Sequence, residues 1–171
     1  MKTNTHSILG RAALIASAFA LCSGLTYASP DTVKHSDKAF LEKAGKCGME
    51  EVSISQVAAE RSTNPRVKDF AQMMVNDHTA ANAALASLAS AKGVSLAAKD
   101  PAPAKWSKKA GKDFDEDYMA KMVEDHEDAV KLFSKEADDG KDADVTAFAR
   151  KTLPTLQHHL EQAKDLKKMV K

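Results

Sequence analysis

The sequence predicts an all-α fold: a four-helix bundle whose second and third helices run parallel and are joined by a long crossover. Three observations carry that expectation. The 171 residues include only 7 Gly and 5 Pro, a scarcity of breakers that favours helix. Four segments repeat apolar residues at alternating spacings of three and four. Two of the three connections between those segments are tight turns, whereas Val94 to Gly111 is too long for a local loop in a compact domain.

The first 28 residues read as a signal peptide and stand outside the fold. Lys2 and Arg11 precede the apolar run Ala12–Leu21, and Thr26-Tyr27-Ala28 places small residues at the −3 and −1 positions of a cleavage site. The run is about ten residues, too short to span a bilayer. Residues 29–171 then form one domain, large enough for a core of its own. Removing two basic and no acidic residues takes the formal net charge from +1 to −1, so no basic excess supports a nucleic-acid partner. No second long apolar stretch follows, so the mature chain is expected to lack a membrane span and to reside in the periplasm. Cys47 is then the one remaining thiol and reads as a small core residue.

The first helix is expected from Ser36, as N-cap, to Arg61. Asn64 is the next N-cap, with Pro65 at the first helical position, and that helix runs to about Lys92 with Gly93 just past its end. The third spans about Asp113 to Asp138 and the fourth about Asp142 to Val170, each opening in acids as the helix dipole favours. A helix of about 25 residues is about 38 Å long. A connector of about 18 residues reaches about 60 Å, enough to return along the bundle and set the second and third helices parallel. Trp106 lies within that connector and reads as its anchor on the bundle.

Each helix has an apolar seam, and each seam is broken near its middle by one ionisable residue: Glu51, His78, His126 and His159. Their levels agree within about three residues, or about 5 Å. Asp115 also interrupts a seam, but near a helix end where water would reach it. Buried charge left alone costs several kcal/mol or shifts its pKa until neutral, so four such groups at one level should satisfy each other. One solution is a single transition-metal ion (Zn, Cu, Fe or Ni), since imidazoles and a carboxylate suit those metals. The other is a metal-free hydrogen-bonded network with Glu51 ionised against a protonated histidine. Asp77, Tyr118 and Asp125 are candidates to orient these groups, the two aspartates from helix interfaces. His158 lies one step off the seam, and His35 has no evident role. Pro154 should bend the fourth helix near His159.

The runs Gly48-Met49-Glu50-Glu51-Val52, Phe70 to Thr79 (FAQMMVNDHT), Phe114-Asp115 with Tyr118, His126, and Leu153 to Leu160 (LPTLQHHL) resemble the bacterial family called domain of unknown function 4142. The resemblance covers nearly all of the mature chain. It implies a ferritin-like four-helix bundle and export, often under the label of an outer membrane protein, and carries over Glu51, Asp77, His78, Asp115, Tyr118, His126 and His159. It implies no settled reaction. Di-iron ferritin-like sites place a glutamate three residues before each histidine, whereas Val75, Val123 and Leu156 stand there, which argues against oxygen-activating di-iron chemistry. The expected function is therefore a periplasmic bundle, leaning away from an enzyme, that binds one metal ion through Glu51, His78, His126 and His159. The alternative is a non-catalytic envelope stress or partner-binding module whose polar core is structural.

Overall fold

The computed structural model describes residues 33–97, 106, 108 and 111–171; the signal-peptide reading of residues 1–28 and the middle of the crossover lie outside the described residues. Four long helices follow one another: α1 (His35–Arg61), α2 (Pro65–Ala91), α3 (Gly111–Asp139) and α4 (Ala143–Met169). Asn64 caps α2 by accepting from the Arg66 N–H, and Asp142 caps α4 by accepting from Asp144 and Val145. Gly93 ends α2 at φ 68°, a left-handed turn that a residue with a Cβ adopts only under strain. Ser36, expected as a cap, lies inside the first turn of α1 and donates to Asp37 instead; the N-cap position is Lys34, with no side-chain cap. α4 continues through Pro154 without a break.

Contacts at the two ends of the bundle fix its topology. At one end the starts of α2 and α3 meet, because Thr63 and Asn64 bond to Asp115. At the other, Lys92 after α2 pairs with Asp142 and Asp144 at 2.7 Å, and Asp37 of α1 reaches the turn between α3 and α4. α2 and α3 are therefore parallel, and the crossover runs the length of the bundle. Its beginning, Val94 and Leu96, packs with Phe40, Leu85 and Phe133. Trp106, near its other end, is buried edge-on against Phe114 and Tyr118 in the opposite half of the core, the anchoring role expected of it.

Two buried aspartates fasten the two hairpins to each other. Asp115 accepts from the Asn64 N–H and the Thr63 hydroxyl, both at 3.1 Å, so the start of α3 clasps the α1–α2 turn. Asp37 accepts from the Lys141 and Asp142 N–H groups at 3.1 and 2.9 Å, so the start of α1 clasps the α3–α4 turn. Asp115 is only 2% exposed, contrary to the expectation of a water-exposed helix end; donors from a distant turn replace the water. The same number of positions separates Asp37 from Asp115, Asn64 from Asp142, Phe70 from Phe148 and Ala71 from Ala149. The α1–α2 and α3–α4 hairpins are thus an approximate internal repeat. Replacing Asp115 by alanine removes both bonds of the clasp, although the Asn64 N–H keeps Ser62 Oγ at 3.2 Å and the exposed Thr63 hydroxyl can turn to water, so Asp115→Ala is expected to cost about 1–3 kcal/mol in urea unfolding. A loss below about 1 kcal/mol would mean that the clasp is incidental.

Candidate metal centre

Three of the four seam-breaking residues come together. His78 on α2, His126 on α3 and His159 on α4 are buried, with ring centroids 5.4–5.5 Å apart. One ring nitrogen from each lies within 4.8 Å of the other two.

The hydrogen bonds set two of the tautomers. His126 Nδ1 is 2.9 Å from the Met122 carbonyl oxygen one turn earlier. A carbonyl only accepts, so Nδ1 carries the proton and Nε2 keeps its lone pair. His159 Nε2 is 2.9 Å from Asp77 Oδ2 on α2; it donates there, which leaves Nδ1 as the base. Outer hydrogen bonds of this kind, to a backbone carbonyl and a carboxylate, are those that orient metal-binding imidazoles. The inner nitrogens, His126 Nε2 and His159 Nδ1, together with His78 Nε2, are buried without a hydrogen-bond partner among the described residues. Burial and mutual repulsion hold His78 down to about 3, and burial followed by repulsion from His159 holds His126 down to about 4. His159 is lowered too, by burial, with Asp77 opposing. All three imidazoles are neutral at pH 7, as metal binding requires.

Glu51 is buried and lines the same cavity, yet it is not in the group of mutually close donor atoms. Burial, then the charge and hydrogen bond of Asp125, push its carboxyl well above the usual carboxylate range. Asp125 in turn accepts from Lys121 Nζ at 2.7 Å. The raised Glu51 carboxyl and the lowered histidines run against the ionised-carboxylate and protonated-histidine pair expected of a metal-free network. Asp77 orients His159 from across a helix interface. Asp125 serves Glu51 and Lys121. The Tyr118 hydroxyl lies 2.9 Å from Ser55 Oγ, its ring stacked on Phe114, and burial first of all raises its pKa. Cys47, expected in the core, is exposed: its seam position meets an opening beside Ala44, Gly48 and Ala81 rather than a packed neighbour. His158 is also exposed.

That opening is a cavity of about 150 Å³ whose lining includes all three histidines. It lies on one side of the triad only. Ala81 and Ala129 stand one turn after His78 and His126, and Gly48 and Ala44 face them from α1. On the other side, Met74 and Met122, one turn before the same histidines, are fully buried in the packed core.

The family described as "Domain of unknown function (DUF4142)" matches residues 23–166. No curated protein is similar enough to match this chain. Among solved structures, a DUF305 fragment from Deinococcus radiodurans has a TM-score of 0.67 at 12% identity, covering 80% of this chain and 98% of that chain. CopM in its Cu(I)-bound form has a TM-score of 0.65 at 15% identity, covering 75% of this chain and 93% of that chain. CopM in a silver-bound form obtained by soaking gives 0.62 at 13%, covering 75% and 92%. At these identities the likeness shows a common fold. No helix among the described residues is long and apolar enough to cross a membrane.

Proposed function

We propose, for a chain that belongs to the Domain of unknown function (DUF4142) family, that it is an exported periplasmic bundle that holds one transition-metal ion through His78, His126 and His159. Two observations carry this reading together: His78, His126 and His159 each bring one ring nitrogen within 4.8 Å of the others, and each has a buried ring nitrogen with no hydrogen-bond partner among the described residues. A buried acceptor left unsatisfied costs about 1–3 kcal/mol, and one cation between the three rings relieves all of them at once. Glu51 lines the cavity beside the three histidines but is outside the group of mutually close donor atoms, so it is left out of the proposed ligand set.

The donor set favours a singly charged ion. Three neutral imidazoles bring no negative charge, and the cost of burying an ion rises steeply with its charge. Imidazole suits copper among the first-row metals, so Cu(I) is the preferred cargo over Zn, Ni or Fe(II). The fold that this chain shares with CopM, whose Cu(I)-bound form is solved, supports the same choice. Export rests on the leader-like sequence of residues 1–28. A carrier or buffer of metal fits this centre better than a catalyst.

Anaerobic titration with Cu(I), Zn(II), Ni(II) and Fe(II) against a chromophoric chelator tests the reading. One ion per chain is expected, with Cu(I) held tightest, and Glu51→Gln is expected to bind as the wild type does. No binding of any of the four would end the metal reading and leave a structural envelope module. A large loss on Glu51→Gln would restore Glu51 as a fourth ligand.

A further inference from the structure

The geometry points to a second binding element in the same centre: the cavity beside the triad receives a small, neutral, largely apolar molecule whose donor atom completes the coordination of the bound ion. The inference rests on the metal reading above and adds the class of a co-ligand.

Three imidazoles fill three positions of an ion that can take a fourth ligand in tetrahedral geometry, and the geometry decides where that fourth ligand would enter. The Met74 and Met122 side of the triad is filled. The other side holds the cavity of about 150 Å³, kept open by Ala44, Gly48, Ala81 and Ala129, where larger seam residues would have closed it. An apolar cavity of about this volume accommodates a single aromatic ring. Its deeper walls, Leu85, Phe133, Phe148 and Leu156, are apolar and disfavour a charged tail. Asp77, Asp125, Asp128 and Glu50 also line it, against one cation, Lys43, and the acidic excess disfavours an anionic head. Neutral polar side chains line it as well: Thr152 and Thr155, and the Asn82 amide, which lies against Gly48 where any Cβ would collide with its oxygen. Ring size, apolar walls and an acidic rim together select a neutral nitrogen heterocycle or a molecule of similar shape.

The test uses pyridine as the neutral probe and azide as the anionic one, titrated calorimetrically into the full-length mature protein after Cu(I) loading has been measured. Pyridine is expected to bind one per loaded chain, at least ten-fold more weakly without metal, and azide is expected to bind far more weakly than pyridine. Ala81→Leu and Ala129→Leu fill the cavity from different helices. Each is expected to retain Cu(I) and to lose pyridine at least ten-fold, with circular dichroism confirming that the variant is folded and Ala129→Val replacing any that is not. Wild-type protein that takes up Cu(I) but ignores pyridine overturns this inference alone, as do variants that bind pyridine undiminished. Azide binding better than pyridine overturns the ligand class. Failure of Cu(I) to bind at all overturns the metal reading, and this one with it.

Discussion

His126→Ala is expected to erase the stabilisation that metal gives the folded chain. An ion that binds only the native state, present at about 1,000 times its Kd, adds about 4 kcal/mol. For a domain of this size that corresponds to a rise of roughly 10 °C in melting temperature. In the proposed centre His126 is one of three donors, and its Nδ1–H bond to the Met122 carbonyl leaves Nε2 as the free base. Without it two imidazoles remain, too few to exclude water from the ion, and the metal-induced rise should fall to about 1–2 °C. Melting scans of both proteins, with Cu(I) and with chelator, measure this directly. A variant that melts as much higher with metal as the wild type does would move the binding site away from the triad.

His78→Gln is expected to flatten the acid limb of the metal-free protein's stability curve. His78 is held down to about 3 in the fold against 6.5 in the unfolded chain. Its contribution is therefore fully present above pH 6.5 and is lost as pH falls toward 3, because the unfolded chain takes up a proton that the folded chain refuses. At about pH 5 the loss is about 2 kcal/mol, at about 1.4 kcal/mol per unit. Burial raises Glu51 and Glu136, the latter to about 7 with Asp37 as the second cause. Those carboxyls act in the opposite direction, favouring the fold at low pH and losing that effect as pH rises. The wild-type curve sums both trends, so the informative quantity is the difference between the two proteins. From about pH 7 to about pH 5 in urea unfolding with chelator present, wild type should lose about 2 kcal/mol more than His78→Gln. Parallel curves would show that His78 carries its proton in the fold, which would argue against a ready metal site.

The helices, the crossover and the three histidines were legible because each leaves a periodic or compositional trace. Asn64-Pro65 and Gly93 punctuate α2, Val94–Gly111 has no period, and His78, His126 and His159 each interrupt an apolar seam at matching depth. Seam position gives depth but not the partner a side chain chooses. Glu51 stands at the right level and still turns to Asp125, because two acids can share a proton, and that pairing leaves no periodic trace. Asp37 and Asp115 escaped for a related reason. Their partners belong to turns remote in sequence, and an acid in a first turn has a sufficient local explanation in the helix dipole. Cys47 was placed in the core by its spacing, but the residues opposite are too small to close over it. The repeat that structures the chain pairs α1 with α3 and α2 with α4 at an offset of 78 residues, and it rests on a few matching positions such as Phe70 with Phe148.

That pairing bears on the hollow next to the histidines. Carried from one hairpin to the other, His126 falls on Gly48, His78 on Leu156 and His159 on Ala81, and all three of those residues line the cavity. The empty volume stands where a second copy of the triad would stand if the repeat between the hairpins were exact. An ancestral or engineered chain combining Gly48→His, Ala81→His and Leu156→His would offer two neighbouring three-nitrogen centres, once Asn82 had moved away from position 48. The present molecule is an approximately symmetric scaffold in which one set of three equivalent positions holds histidines and its mate lines a chamber, so that a second three-nitrogen cluster is a few substitutions away.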